Sequence, residues 1–181
     1  MKPKVPLCHL AFLGICVAFS LVTKRVISPI TNLLTDFLRI PGGSAATAFS
    51  LLFLVVGTSR LKWSWATTAT SFVQSLIALG IGMSTYQGAF ALVSYALPGL
   101  VIDLFRKFYP HRNMAFFTLS CAAANTAGAL FSNLLTFRLE GAALLLWLLI
   151  GCVFGLFFGF LGGLVFNRLE KIPGFRRFIG C

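Results

Sequence analysis

The sequence has almost no acid. Asp36, Asp103, Glu140 and Glu170 are its only carboxylate side chains, and charged residues fill just 10% of its 181 positions. A water-soluble domain of this length covers itself with far more charge, so the composition excludes one. Metal-ligand spacing is also missing. The two histidines are His9 and His111, and the cysteines Cys8, Cys16, Cys121, Cys152 and Cys181 are scattered without a CxxC pair, so neither a metal, a cofactor nor a disulfide framework is expected. No GxxxxGK[ST] loop occurs, which removes ATP binding by that route. Ser44 after Gly42 and Gly43 falls at the opposite end of the apolar blocks from both histidines, so a serine–histidine hydrolase cannot assemble. The chain is not expected to be an enzyme.

What the sequence has is apolar length. Hydrophobic residues make up 58% of it, in blocks at about 7–27, 44–59, 63–83, 86–105, 114–137 and 141–166. Blocks of this size match a hydrocarbon core of about 30 Å crossed at about 1.5 Å per residue. The expected fold is all-α: a polytopic membrane protein, one transmembrane domain over 1–181 with six transmembrane helices, and a basic tail at 167–181. Lys2 and Lys4 before the first block resemble the start of a signal peptide, but no small-residue cleavage site follows, so the block is kept as a helix.

The fifteen Lys and Arg residues are distributed unevenly between the blocks. Lys2, Lys4, Arg60, Lys62, Arg106, Lys107, Arg112, Arg168, Lys171, Arg176 and Arg177 fall on one side, and Lys24, Arg25, Arg39 and Arg138 on the other. The positive-inside rule then places both termini in the cytoplasm. The net charge of +11 is read as topology, and no nucleic-acid partner is expected.

Several features can carry function. Gly151, Gly155, Gly159 and Gly163 recur every fourth residue, forming a groove for a closely packed helix that is either internal or from another subunit. Polar stripes run along three blocks: Thr67, Ser71 and Gln74; Gln87, Ser94 and Tyr95; Asn125, Ser132, Asn133 and Thr136. Amides are costly to bury unpaired, so Gln74, Asn125 and Asn133 are candidate ligand groups, with helix–helix adhesion as the alternative. Asp36, Arg39, Arg138 and Glu140 would frame a pocket mouth on the outer side, and Trp147 offers a stacking face. Asp103 is expected to pair with Arg106 and Lys107 at the inner end of helix four. The segment 28–43, bounded by Pro29, Pro41, Gly42 and Gly43 yet containing Leu33, Leu34, Phe37 and Leu38, reads as a loop folded back on the outer face, either a lid or an interfacial helix.

In layout the whole chain resembles the substrate-binding S components of energy-coupling factor (ECF) vitamin transporters. The resemblance rests on the small-residue face Ala11, Gly14 and Ala18 of helix one, the RIPGGSAAT segment from Arg39, and the YALPGLVIDLF run of helix four. It implies capture of a B-vitamin-class molecule, such as a thiamine precursor, near the outer face of a prokaryotic inner membrane. The implied site holds Gln74, Tyr86, Gln87, Tyr95, Asn133 and Trp147, beside Asp36, Arg39 and Asn125 from the residue reading. The implied partners are a membrane coupling subunit, docked on Ala11, Gly14 and Ala18, and two cytoplasmic ATPases. The family's docking face typically carries an alanine pair where this chain has Gly14. The alternatives are a standalone carrier or channel, or a structural membrane protein assembled through the glycine row.

Overall fold

The structure is a computed structural model and describes residues 7–36, 43–59, 61, 63–82, 90–109 and 113–173. Six α-helices and no strand occur among the described residues: α1 (Leu7–Asp36), α2 (Gly43–Thr58), α3 (Ala66–Gly80), α4 (Phe90–Phe108), α5 (Met114–Ser132) and α6 (Gly141–Lys171). A π-helical turn, Asn133–Phe137, extends α5. Three stretches are long and apolar enough to cross a membrane, His9–Leu33, Met114–Leu135 and Gly141–Lys171, so the chain has the character of a membrane protein. Large apolar side chains on them face outward, Leu33 at 76% exposure, Leu145 at 70% and Phe157 at 56%. In water these would form an extended sticky surface, whereas in lipid they are solvated.

Consecutive helices run antiparallel and close into a ring in the order α1, α2, α6, α5, α4, α3. We call the end where α1 finishes and α2 begins the upper end. Helix α2 carries no charge and is buried on nearly every side, as a helix apolar all round must be, and it also touches α5 and α3. Its lower two-thirds form the main core, where Leu51, Leu52, Leu54, Val55 and Val56 pack with Ile102, Phe116, Phe117 and Phe166.

The glycine row of α6 is used inside the chain. A Cβ on Gly155 would lie 2.6 Å from the Ala122 Cα, and one on Gly159 would lie 2.5 Å from the Phe117 carbonyl oxygen. Gly151 and Gly163 face α5 in the same register, while Gly162 meets Leu52 and Val56 of α2. Dispersion between two backbones at this range replaces the hydrophobic drive that lipid cannot supply.

Helix α1 differs from the sequence expectation. Pro29 was expected to end it, yet the helix continues to Asp36, and the connection shrinks to residues 37–42. Unpaired backbone costs more in lipid than the one bond proline removes. Thr31 Oγ1 donates to the carbonyls of Ile27 and Ser28 at 3.1 and 3.0 Å, both just before the proline.

These contacts separate two glycine substitutions. Gly159→Leu should destabilise the protein by about 1–3 kcal/mol or more and broaden its elution in detergent. Gly14→Leu, where a Cβ meets nothing within 4 Å, should leave the melting temperature unchanged. Equal melting temperatures for the two variants would contradict the packing described.

Candidate functional site

The helices have unequal lengths, and the inequality falls at one end. Ser44, in the first turn of α2, lies against Gly151 of α6 and accepts a hydrogen bond from Asn125 Nδ2 of α5 at 3.3 Å. Above that level α6 continues for ten residues to Gly141, and α5 with its π turn for twelve to Phe137, about 15 and 18 Å at the helical rise. Helix α1 pairs with α2 through Ser20 Oγ, which donates to the Ser50 carbonyl at 3.2 Å. Antiparallel register then sets Val26 level with Ser44, leaving ten more residues of α1, again about 15 Å. Helix α3 ends at Gly80, near the level where α2 begins, because Thr67 Oγ1 donates to Thr58 Oγ1 at 3.0 Å lower down. Helices α2 and α3 thus form a floor, walled by the three stretches long enough to span a membrane.

A helix start at that depth presents N–H groups that take no part in the helical ladder, together with the positive end of the helix dipole. Beneath a membrane surface such a terminus is tolerated where it lines a polar cavity, and it is the form in which membrane helices receive ligands.

The three buried amides singled out from the sequence do not converge. Gln74 Nε2 donates to Ser20 Oγ at 2.9 Å, joining α3 to α1 and, through Ser20, to α2. Asn125 Nδ2 donates to Ser44 Oγ and to the Gly151 carbonyl at 2.8 Å, joining α5 to α2 and α6, while its Oδ1 is buried without a partner. Asn133 is consumed by the chain itself: Nδ2 donates to the Leu139 carbonyl at 3.1 Å and Oδ1 accepts the Leu139 N–H at 2.7 Å. That reciprocal pair closes the π turn, after which Arg138 adopts φ 50° and Gly141 φ 59° to enter α6. Trp147, one turn above Gly151, is buried at 2% exposure against Ala129 and Leu139. Of these residues Asn125 alone carries an open valence, beside the first turn of α2.

Tyr95 has a partner that the sequence reading missed. Lys24 Nζ sits 3.7 Å from the centre of the Tyr95 ring. Tyr95 packs with Val17, Leu21 and Ala78, and Ala78 is fully buried while Phe72, Val73, Leu76 and Ile77 on the other face of α3 are exposed. The Lys24–Tyr95 pair therefore lies on the interior side of α3, one turn above Gln74 and Ser20. Lys24 was assigned to topology; its place in the stripe Cys16, Ser20, Lys24, at four-residue spacing, was the available signal. A cation well inside a membrane span costs about 2.5–3.5 kcal/mol, and a cation–π contact returns about 0.5–2 kcal/mol. The ring alone leaves part of that cost uncovered.

The lower end of the floor is closed by α4. Asp103, 4% exposed, gives its carboxylate to the first turn of α3, accepting the Thr67 N–H at 3.3 Å, the Thr68 N–H at 2.8 Å and the Thr68 hydroxyl at 2.7 Å. Helix α3 has no side-chain N-cap of its own, and Asp103 supplies one from a neighbouring helix, with its charge at the positive end of the dipole. Arg106 Nη1 donates to the carbonyls of Thr58 and Trp63 at 3.4 Å, placing a cation at the negative end of α2. Asp103 and Arg106 are thus turned to two other helices, and the expected ion pair of Asp103 with Arg106 and Lys107 is not formed among the described residues. Between Thr58, Thr67 and Arg106 lies a hollow of about 10 Å³, the size of one water molecule.

Arg39, Tyr86 and Gln87 lie outside the described residues, as does the side chain of Asp36. Ala11, Gly14 and Ala18 are exposed on the outside of α1. No family model, no curated protein and no solved structure matches the chain. What the fold itself defines is an all-helical protein with three helices suited to a membrane.

Asp103→Ala removes an acceptor shared by three donors in a buried position, so it should cost about 2–3 kcal/mol of stability. Asn133→Ala should cost about 1–3 kcal/mol by opening the turn before α6. Melting temperatures in detergent measure both; an unchanged value for Asp103→Ala would show that the cap contributes nothing.

Proposed function

We propose that the chain is the substrate-capturing membrane subunit of an importer of the ECF type, with six transmembrane helices and both termini in the cytoplasm of a prokaryotic cell. The observation that carries this reading is the short α2, whose N-terminus starts about 15 Å below the upper ends of α1 and α6. Such a recess is built to hold a small molecule between polar helix ends, and the positive-inside bias puts it on the outer face. A vitamin-like molecule enters there, above Ser44, Asn125, Lys24 and Tyr95. With no ATP-binding loop in its sequence, the chain draws its energy from a membrane coupling subunit and two cytoplasmic ATPases.

The docking surface proposed for that coupling subunit is the face of α1 bearing Ala11, Gly14 and Ala18. All three are exposed, and nothing within 4 Å of Gly14 occupies the space a side chain would take. Small residues on an exposed stripe let a partner helix approach closely.

Mass spectrometry of small molecules co-purifying with the detergent-extracted protein tests capture. A wild type that carries no small molecule, and whose melting temperature no vitamin raises, contradicts it. Gly14→Leu should abolish uptake in cells while leaving the retained molecule in place; loss of both would assign Gly14 to folding instead. Topology is read separately: a membrane-impermeant maleimide should label a cysteine placed at Arg138 in intact cells and spare one placed at Ser64.

A further inference from the structure

The floor of the recess is electrically one-sided. Lys24 points across it onto Tyr95, and the positive end of the α2 dipole opens at nearly the same level. Among the described side chains no carboxylate is placed to balance them. The sequence holds four acidic residues, and each sits on backbone remote from Lys24. Asp36 is twelve residues along α1 from Lys24, about 18 Å. Asp103 is eight residues down α4 from Tyr95, about 12 Å, with both oxygens engaged by α3. Glu140 stands at the N-cap of α6, above the recess, and Glu170 is in the last turn of the same helix at the lower end. Among the described residues Lys24 has the face of a tyrosine and no anion.

We infer that Lys24 is the counter-ion for an acidic group, a carboxylate or a phosphate, on the molecule that occupies the recess. This rests on the capture function proposed above and narrows it. The interior cation requires that the ligand carry a negative charge at the end that enters first, where Lys24 and the first-turn N–H groups of α2 meet it. Tyr95 is a positioning residue, holding the ammonium over the floor and away from lipid. The unpartnered Oδ1 of Asn125, beside the same helix start, asks for a donor N–H or O–H on the same ligand. An acidic group with a donor nearby is the chemical class.

The test incubates purified wild type, Lys24→Met, Lys24→Arg and Tyr95→Phe with a whole-cell metabolite extract, and mass spectrometry identifies what each retains. Size-exclusion profiles and melting temperatures without extract establish that each variant folds. The expected result is a retained carboxylate or phosphate compound, reduced roughly tenfold or more in Lys24→Met and largely restored in Lys24→Arg, with Tyr95→Phe near wild type. Repeating the incubation with protein held in neutral-lipid nanodiscs separates the two sources of that charge. Retention there identifies a water-soluble metabolite, and loss with recovery on adding phosphatidylglycerol identifies a lipid headgroup. A retained compound that is neutral or cationic, or one held equally by Lys24→Met, overturns the role of Lys24 while leaving capture intact. A wild type that retains nothing in either setting overturns capture and this inference with it.

Discussion

Every peptide group inside hydrocarbon needs a partner from the protein, and that constraint shapes this bundle most at the ends of α2 and α3. These helices, of 16 and 15 residues, are about 24 and 22 Å long, shorter than a hydrocarbon core of about 30 Å. At the lower end the shortfall is met by side chains of α4: Asp103 takes the start of α3 and Arg106 the end of α2. At the upper end the same two helices stop deep between α1, α5 and α6.

Packing divides along the same line. The continuous apolar core, from Leu51 to Val56 with Phe117 and Phe166, fills the lower part, and among the described residues two small clusters, around Ala78 and around Trp147, lie higher. The tall helix pair α5 and α6 is packed closely by glycines set against backbone. Gln74 and Asn125 pin α2 from its two sides, to α1 and α3 on one and to α5 and α6 on the other. Asn125 has one side-chain atom bonded twice and the other buried without a partner.

Much of this architecture was legible in the sequence. The apolar blocks mark the helices, because length and hydropathy are local properties, and the glycine spacing announced a close helix contact. Which helix would fill the glycine groove was not legible, since that depends on how α5 presents Ala122 and Phe117. Pro29 misled because helix-breaking rules are calibrated in water, where an opened backbone can bond to solvent. Asn133 fell on the right stripe but for a different purpose, since nothing local shows that its amide would close on Leu139. Lys24 was overlooked because a basic residue near the end of an apolar block is ordinarily a topology signal; its interior position follows only from α1 running on to Asp36.

The central claim of the proposed function is that the start of α2 can be reached from the upper side. In a background with the native cysteines replaced by alanine, Ser44→Cys measures this directly through its rate of reaction with a membrane-impermeant thiol reagent applied to the outside of intact cells. The account predicts measurable labelling at residue 44 that slows when the captured molecule is present, with none at Val55→Cys in the lower core. Labelling at neither position would contradict it, because the start of α2 would then be sealed within the protein and no recess would stand above it.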